Sequence, residues 1–532
     1  MEERKVYLYD ATLREGAQKT GIAFSMEDKL RILERLVRDI EIPMIEAGWP
    51  GSNPKDIELF KELKKKNFNN TKIYAFSSTR RKDMKTKNDR NLQAILDAEV
   101  EGATIFGKTW DLHVESALET TLEENLAMIR DTILHLKDHD IDVIFDAEHF
   151  FDGYKSNKEY AISCIRTAHE AGASWITLCD TNGGILPYEV GPILEEIQTQ
   201  IPSIKLGFHA HNDCGMANGI ALEAYNHGVE LIQGTINGFG ERSGNTDLTA
   251  LIPVFKMKMG VNCIDEEHLK NLTEVSHFVN EMANLPGNPD QPFVGRNAFS
   301  HKGGVHASAI LKNAKTYEHI DPELVGNVRD IKVSELAGKS SILHMAKKFG
   351  IPLTEDNPKV REILRVIKRK ENQGYSYEGA EGSLEIIMRS MDMNIQDPNY
   401  YRKKFFELEG FRVLTERYKD NLISEATIKL KVGGKEFHTA AEGNGPVNAL
   451  DNALKKSLCH FYPSIKEINL SDFKVRIISQ AGTASTVRVL AETYDKEGTW
   501  GTIGAHENII VASWDALVDS YIFKLLKEKN NW

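Results

Sequence analysis

Residues 142–211 contain three short runs rich in β-branched and aromatic residues: DVIFDAE (142–148), SWITLCD (174–180) and KLGFHAH (205–211). They begin about 30 residues apart, which is the length of one strand–helix–strand unit. Each run ends in a charged residue or a histidine. The pattern predicts parallel strands that alternate with helices, with polar side chains at the carboxyl ends of the strands.

The same alternation extends to both sides of this stretch. Five further runs are VYLYD (6–10), PMIEAG (43–48), KIYAFSS (72–78), ATIFG (103–107) and LIQGTING (231–238). Helix-like segments separate most of them, such as 25–39, where Ser25 followed by Asp28 indicates a helix start. Because eight strand–helix units follow one another, we expect an α/β fold with a closed (β/α)8 TIM barrel. An open, doubly wound sheet is the alternative, since periodicity alone does not show closure.

The rest of the chain has a different pattern. Helical segments at 334–350 and 357–374, with few strand-like runs, predict a helical linker region over 271–395. In the remaining residues three strands and a helix occur twice, which predicts an α+β domain with an internal duplication. We therefore expect three domains, over 1–270, 271–395 and 396–532.

Composition excludes several classes of protein. The 532 residues include 66 Lys and Arg against 78 Asp and Glu, a net charge of −12, which disfavours a nucleic-acid partner. No apolar run approaches the ~18 residues that span a bilayer, so we expect no membrane partner. The five cysteines are scattered and form no CxxC pair. The first residues lack the apolar segment of a signal peptide, and we expect a cytoplasmic, reduced protein.

Two motifs at predicted strand ends carry metal-binding chemistry. In GFHAHND, His209 and His211 are two residues apart and project to the same side of a strand. In DATLREG, Arg14 and Glu15 follow the first strand. In a closed barrel the first strand lies beside the eighth, and only the eighth separates it from the seventh strand, which carries the two histidines. Glu15 can therefore approach both imidazoles, giving an open metal site, with Arg14 available to an oxyanion. The alternatives are a pair of structural histidines and a loop ion pair.

The motifs DATLREG (10–16), HAHND (209–213) and NGFGERSGNTDL (237–248) together resemble those of the Claisen-condensing acyltransferases that comprise the α-isopropylmalate, homocitrate and citramalate synthases. The resemblance extends to SHKGGVHASA (300–309) and to a C-terminal domain similar to the LeuA-type allosteric domain. EHFFDGYK, DTNGG and YEHIDPELVGN are most similar to the long citramalate-forming members. Many members have Asp after the motif arginine, whereas this chain has Glu15, and homocitrate synthases also have Glu there. The carboxylate is retained.

The resemblance implies a divalent cation, Mg²⁺, Mn²⁺ or Zn²⁺, held by the motif carboxylate, both imidazoles and an amide, which here are Glu15, His209, His211 and Asn245. Arg14 would stabilise an oxyanion, and Thr177 would bind the substrate carboxylate. A β-branched strand residue without that role is the alternative for Thr177.

The resemblance also implies a reaction. Acetyl-CoA would condense with pyruvate to give (R)-citramalate, for isoleucine synthesis, with Glu148 or His306 as general base and Tyr317 assisting His306. Feedback by an amino acid, expected to be isoleucine, and a homodimer would depend on the C-terminal domain. The alternatives are 2-oxoisovalerate or 2-oxoglutarate as substrate, or a metal-dependent lyase or aldolase on the same barrel.

Overall fold

The computed structural model describes residues 5–68, 70–302, 304–332, 338–392, 400–418, 421–478 and 485–528. The chain forms two compact units, Met1–Phe299 with Ile320–Arg329, and Ser300–His319 with Asp330–Trp532. None of the helices within the described ranges combines the length and apolar character that crossing a bilayer requires. The three-domain division stays a prediction.

The first unit contains a closed barrel of parallel strands, in the order of the sequence. The strands are β1 (Tyr7–Asp10), β2 (Met44–Gly48), β3 (Lys72–Ser78), β4 (Gly102–Lys108), β5 (Asp142–Glu148), β6 (Trp175–Asp180), β7 (Leu206–Ala210) and β8 (Leu231–Gly234). Pairing of Tyr7 with Leu231 and of Asp10 with Gly234 closes β1 onto β8. The prediction of a TIM barrel is confirmed, and the open sheet is excluded.

Helices connect the strands and continue after β8. They are α1 (Met26–Arg35), α2 (Pro54–Leu63), α3 (Arg90–Ala98), α4 (Asp111–Ser116), α5 (Leu122–Lys137), α6 (Phe150–Ser156), α7 (Lys158–Glu170), α8 (Pro187–Gln200), α9 (Ala217–Asn226), α10 (Leu248–Pro253), α11 (Glu266–Leu269) and α12 (Leu272–Met282). Ser25 begins α1 as predicted, because its hydroxyl accepts from Asp28 N at 3.1 Å and Asp28 Oδ2 accepts from Ser25 N at 2.9 Å.

The side chains that point into the barrel form successive layers along the strands. On β5, Ile144, Asp146 and Glu148 share a side because successive strand residues face opposite ways. Ile144 belongs to a buried cluster with Tyr9 and Trp175. Asp146, one step toward the carboxyl end, is buried among polar groups, and Glu148 reaches a cavity at the barrel mouth. Apolar packing at one end thus supports a polar interior below the mouth.

The second unit contains short helices followed by two similar sheets. Its first elements are β9 (Ser300–His301), α13 (Gly304–Lys312), β10 (Asp330–Ile331), α14 (Lys339–Lys348), α15 (Pro358–Asn372), α16 (Glu381–Asp392) and α17 (Tyr400–Phe405). The largely helical character predicted for this region is confirmed, and the few strand-like residues in it include β9 and β10, which pair in parallel. Part of the helix predicted over 334–350 lies outside the described residues.

The predicted duplication is confirmed as two antiparallel three-stranded sheets, each followed by a helix. The elements are β11 (Glu407–Tyr418), β12 (Asn421–Val432), β13 (Lys435–Gly443) and α18 (Pro446–Leu458), then β14 (Asn469–Ile477), β15 (Val487–Asp495), β16 (Gly498–His506) and α19 (Ile509–Glu528). Ile428 of β12 and Leu450 of α18 belong to one core, whereas Val489 of β15 and Ala512 of α19 belong to another.

Candidate active site

Glu15, His209 and His211 converge at the carboxyl end of the barrel. All three are buried, and one ligand atom from each lies within 4.8 Å of the others. His209 Nε2 is 3.4 Å from His211 Nε2, and His211 Nε2 is 3.8 Å from Glu15 Oε1. The strand geometry therefore brings together a carboxylate and two imidazoles that are about 200 residues apart in the sequence.

The surroundings keep these groups in the forms that bind a cation. Burial lowers the pKa of His209, and burial together with the neighbouring His209 lowers the pKa of His211 to about 3. Burial opposes ionisation of Glu15, but Arg14 and the two imidazoles outweigh it and lower the pKa of that carboxyl. The cluster is thus an ionised carboxylate beside neutral imidazoles.

These residues fit a divalent cation. Ligand atoms about 2.0–2.2 Å from a metal lie roughly 3.0–3.5 Å apart at tetrahedral or right angles, close to the separations seen here. Asn245 Nδ2 donates to His209 Nε2 at 3.0 Å, while Asn245 Oδ1 is buried without a hydrogen-bond partner among the described residues. Turning this amide over would direct its oxygen to the same point as the imidazoles.

A glycine keeps Asn245 in this position. A Cβ atom on Gly240 would lie 1.8 Å from Asn245 Oδ1, so only glycine leaves room for the amide. Gly244, with φ of +93°, provides a left-handed turn that other residues rarely adopt. The sequence GERSGN therefore folds so that its asparagine returns to the barrel mouth.

Arg14 lies between two carboxylates. Its Nη1 donates to Glu15 Oε2 at 2.5 Å and its Nε donates to Glu46 Oε1. Burial disfavours the charge, but Glu46 and Glu15 outweigh it and raise the pKa of Arg14. The guanidinium also stacks over Phe76, 3.6 Å from the ring centroid. A fixed cation thus borders the metal-type cluster, as oxyanion stabilisation requires.

The cavity above the cluster has a volume of about 210 Å³. Arg14, the three clustered residues and Glu148 line it, with an aromatic wall of Trp49, Phe76 and Phe106. Phe76 and Phe106 stack with centroids 5.3 Å apart. Glu148 forms an ion pair with Lys108, its register neighbour on β4. The cavity therefore offers a carboxylate, a guanidinium and a small apolar wall.

Thr177 does not line this cavity. Its side chain is buried within the barrel, where Oγ1 accepts from Gln233 Nε2 at 3.2 Å. Thr181, just beyond β6, is the threonine that reaches the cavity. The substrate-binding role of Thr177 stays a prediction, and Thr181 is a candidate that the sequence analysis missed.

His306 and Tyr317 belong to the second unit. Their rings stack with centroids 4.1 Å apart at an interplanar angle of 25°, and both residues are exposed. The two side chains that the resemblance associates are therefore in contact. Their catalytic roles stay predictions.

The fold and the metal-type cluster define a class of TIM-barrel proteins, the HMGL-like family, whose model matches residues 5–279. A homocitrate synthase post-HMGL domain-like model matches 293–374. A LeuA allosteric (dimerisation) domain matches 380–524.

Full-length relatives narrow this class. The (R)-citramalate synthase of Aquifex aeolicus is 50% identical over 99% of this chain and 98% of its own. That of Geobacter sulfurreducens is 51% identical over 98% of both chains, whereas a 2-isopropylmalate synthase of Methanocaldococcus jannaschii is 30% identical over 99% of this chain and 95% of its own. The chain belongs to the (R)-citramalate synthase family, as its motifs predict.

Proposed function

We propose that this protein condenses acetyl-CoA with pyruvate to give (R)-citramalate and free CoA. The observation that carries the proposal is the convergence of Glu15, His209 and His211 beside Arg14 at the barrel mouth. Full-length similarity to (R)-citramalate synthases supports this reaction over the other 2-oxo acids and over a lyase.

The cavity suits a small 2-oxo acid. A divalent cation (Mg²⁺, Mn²⁺ or Zn²⁺) bound by the cluster, with Asn245 as a further ligand, would polarise the keto group as a Lewis acid. Arg14 would hold the oxygen that gains charge when the keto carbon is attacked. The aromatic wall of Phe76 and Phe106 would border the methyl group of pyruvate.

The thioester requires a second space. A cavity of about 540 Å³ is lined by Lys19, Asn212, Asn245 and Gln291, among other residues. We assign it to the acetyl-pantetheine arm, because its polar lining can hydrogen-bond the amides of that arm and because it adjoins Asn245.

The reaction also requires a general base. Glu148, or His306 assisted by Tyr317, would take a proton from the acetyl methyl group, whose carbon then bonds to the keto carbon of pyruvate. The resulting alkoxide takes up a proton. Water then cleaves the thioester, releasing a carboxylate and the CoA thiol.

The second unit would regulate this reaction. Its match to an allosteric dimerisation domain supports a homodimer that responds to an amino acid, and we propose isoleucine as effector of an enzyme of isoleucine synthesis. Sedimentation should give twice the chain mass of 59.9 kDa. Isoleucine should inhibit the full-length enzyme at lower concentrations than leucine or valine does.

A thiol-release assay with a panel of 2-oxo acids tests the reaction. Pyruvate should give the highest kcat/KM, with (R)-citramalate identified by chiral chromatography. His209→Ala should abolish turnover, while His169→Ala, on α7, should not. Preference for 2-oxoisovalerate or 2-oxoglutarate, or turnover by His209→Ala, would contradict the proposal.

A further inference from the structure

His209 can bind a cation through Nε2 only if its single proton is on Nδ1. A neutral imidazole carries one N–H, and the partner of one nitrogen decides which nitrogen keeps it. His209 Nδ1 lies 2.8 Å from Gln233 Oε1 on β8. An amide oxygen only accepts hydrogen bonds, so this contact places the proton on Nδ1 and leaves Nε2 unprotonated, in agreement with the hydrogen bond that Nε2 accepts from Asn245 Nδ2.

The other contacts of Gln233 fix which way its amide points. Nε2 donates to Asp146 Oδ1 at 2.9 Å and to Thr177 Oγ1 at 3.2 Å. The Thr177 hydroxyl also bonds to Asp146, and this bond lowers the pKa of the Asp146 carboxyl. Burial has a larger effect in the opposite direction, and the pKa of Asp146 is raised to about 7. With both acceptors on the Nε2 side, the amide oxygen must face His209.

Bulk water has little access to these groups, because Gln233 is 1% and Asp146 4% exposed. His211 differs: its Nδ1 is buried with no hydrogen-bond partner among the described residues. Within the described cluster, the amide therefore orients one imidazole and not the other.

We propose that Gln233 is a positioning residue that, held by Asp146, keeps His209 as the Nδ1–H tautomer and directs its Nε2 toward the cation. This inference rests on the metal site of the proposed function but not on the identity of the 2-oxo acid. Such partners of metal-bound histidines typically change metal affinity by about 10–100-fold.

The test measures metal affinity and tautomer, so that it does not depend on turnover. Gln233→Met keeps the length of the side chain but removes the acceptor. Thr104→Val is the matched control, because it removes a buried hydrogen bond of 2.6 Å to Tyr9 elsewhere in the barrel interior. All measurements are made at pH 8, above the pKa of about 7 of Asp146.

Competition of Mn²⁺ or Zn²⁺ with a chromophoric chelator gives the affinity. Gln233→Met should weaken binding by about 10–100-fold, whereas Thr104→Val should stay within about threefold of the unmodified protein. If Gln233→Met fails to fold, Asp146→Asn replaces it. An asparagine can present either end of its amide to Gln233, so we expect weaker binding there too.

The tautomer is read in metal-free protein by ¹⁵N–¹H correlation of labelled histidines, with the His209 signal assigned by its loss in His209→Gln. The unmodified protein should show the Nδ1–H form, and Gln233→Met should shift the population toward Nε2–H. Unchanged metal affinity in Gln233→Met, or an Nε2–H form in the unmodified protein, would overturn the inference. Loss of turnover alone would bear on the proposed function instead.

Discussion

Glu46 provides the sharpest test of how the barrel fixes Arg14. The carboxylate is fully buried; it accepts from Arg14 Nε and, at 2.9 Å, from Tyr9 OH. The Arg14 side chain is 11% exposed, and its other carboxylate partner is Glu15. Replacing Glu46 by Gln keeps the shape of the side chain and removes its charge.

The expected cost follows from this burial. A hydrogen bond to a charged group contributes about 1.5–3 kcal/mol, and water cannot replace the lost charge at a side chain with no exposed surface. We therefore expect Glu46→Gln to lower the free energy of unfolding by about 1.5–3 kcal/mol. If Arg14 stabilises the oxyanion, loss of the same interaction lowers kcat/KM by about 10–100-fold.

The assay is urea unfolding together with thiol release, in a double-mutant cycle with Arg14→Met. Glu274→Gln is the control, because Glu274 pairs with Arg35 at 2.7 Å but is 71% exposed, and such surface pairs contribute at most about 1 kcal/mol. A Glu46→Gln effect no larger than that of Glu274→Gln, with no coupling to Arg14, would refute the reasoning.

Two further predictions concern other parts of the chain. Gly240→Ala places a Cβ on Asn245 Oδ1 and should lower the metal retained after dialysis, whereas Gly219→Ala, where nothing lies within 4 Å, should not; equal retention would argue against the amide as ligand. Lys524 Nζ lies 2.5 Å from Asp495 Oδ2, and the two side chains are only 3% and 1% exposed. Lys524→Met should lower the free energy of unfolding by about 3–5 kcal/mol at pH 7, because it leaves the buried Asp495 carboxylate without its cationic partner. Burial opposes ionisation of Asp495, but Lys524 and the backbone N–H groups of Glu497 and Gly498 together outweigh it and lower the pKa of Asp495. The stabilisation by Lys524 should therefore be present above about pH 4 and be lost as the pH falls further; a Lys524→Met effect that persists unchanged at pH 2 would contradict this pairing.

The metal-type cluster could be predicted because short motifs and topology determine it. His209 and His211 are two residues apart, so a strand alone directs them to one side. Glu15 follows β1, and eight strand–helix units imply that β1 meets β8, which the register of Tyr7 with Leu231 confirms.

The contacts of Glu46 with Arg14 and of Gln233 with His209 could not be predicted in this way. Glu46 and Gln233 both lie inside strands, where a polar residue differs little in the sequence from one at a strand end. Their contacts with Arg14 and His209 depend on how far each strand is shifted along the barrel, and pairing between distant strands sets that shift. Each is a polar residue within the last three positions of its strand, which was the available signal.

The two threonines of β6 and its loop show the same limit. The motif SWITLCDT offers both Thr177 and Thr181, and strand periodicity places both on the inner side. Only the observed end of β6 at Asp180 shows that Thr177 lies one level below the cavity and Thr181 at its edge.

Closure of β1 against β8 also has a consequence for how the protein matures. The cluster unites a residue near the amino terminus with two that the ribosome adds about 200 residues later, so a nascent chain that lacks the last barrel strands lacks part of the proposed cation site. Ion capture should then occur late in biosynthesis, and it would distinguish finished barrels from truncated ones.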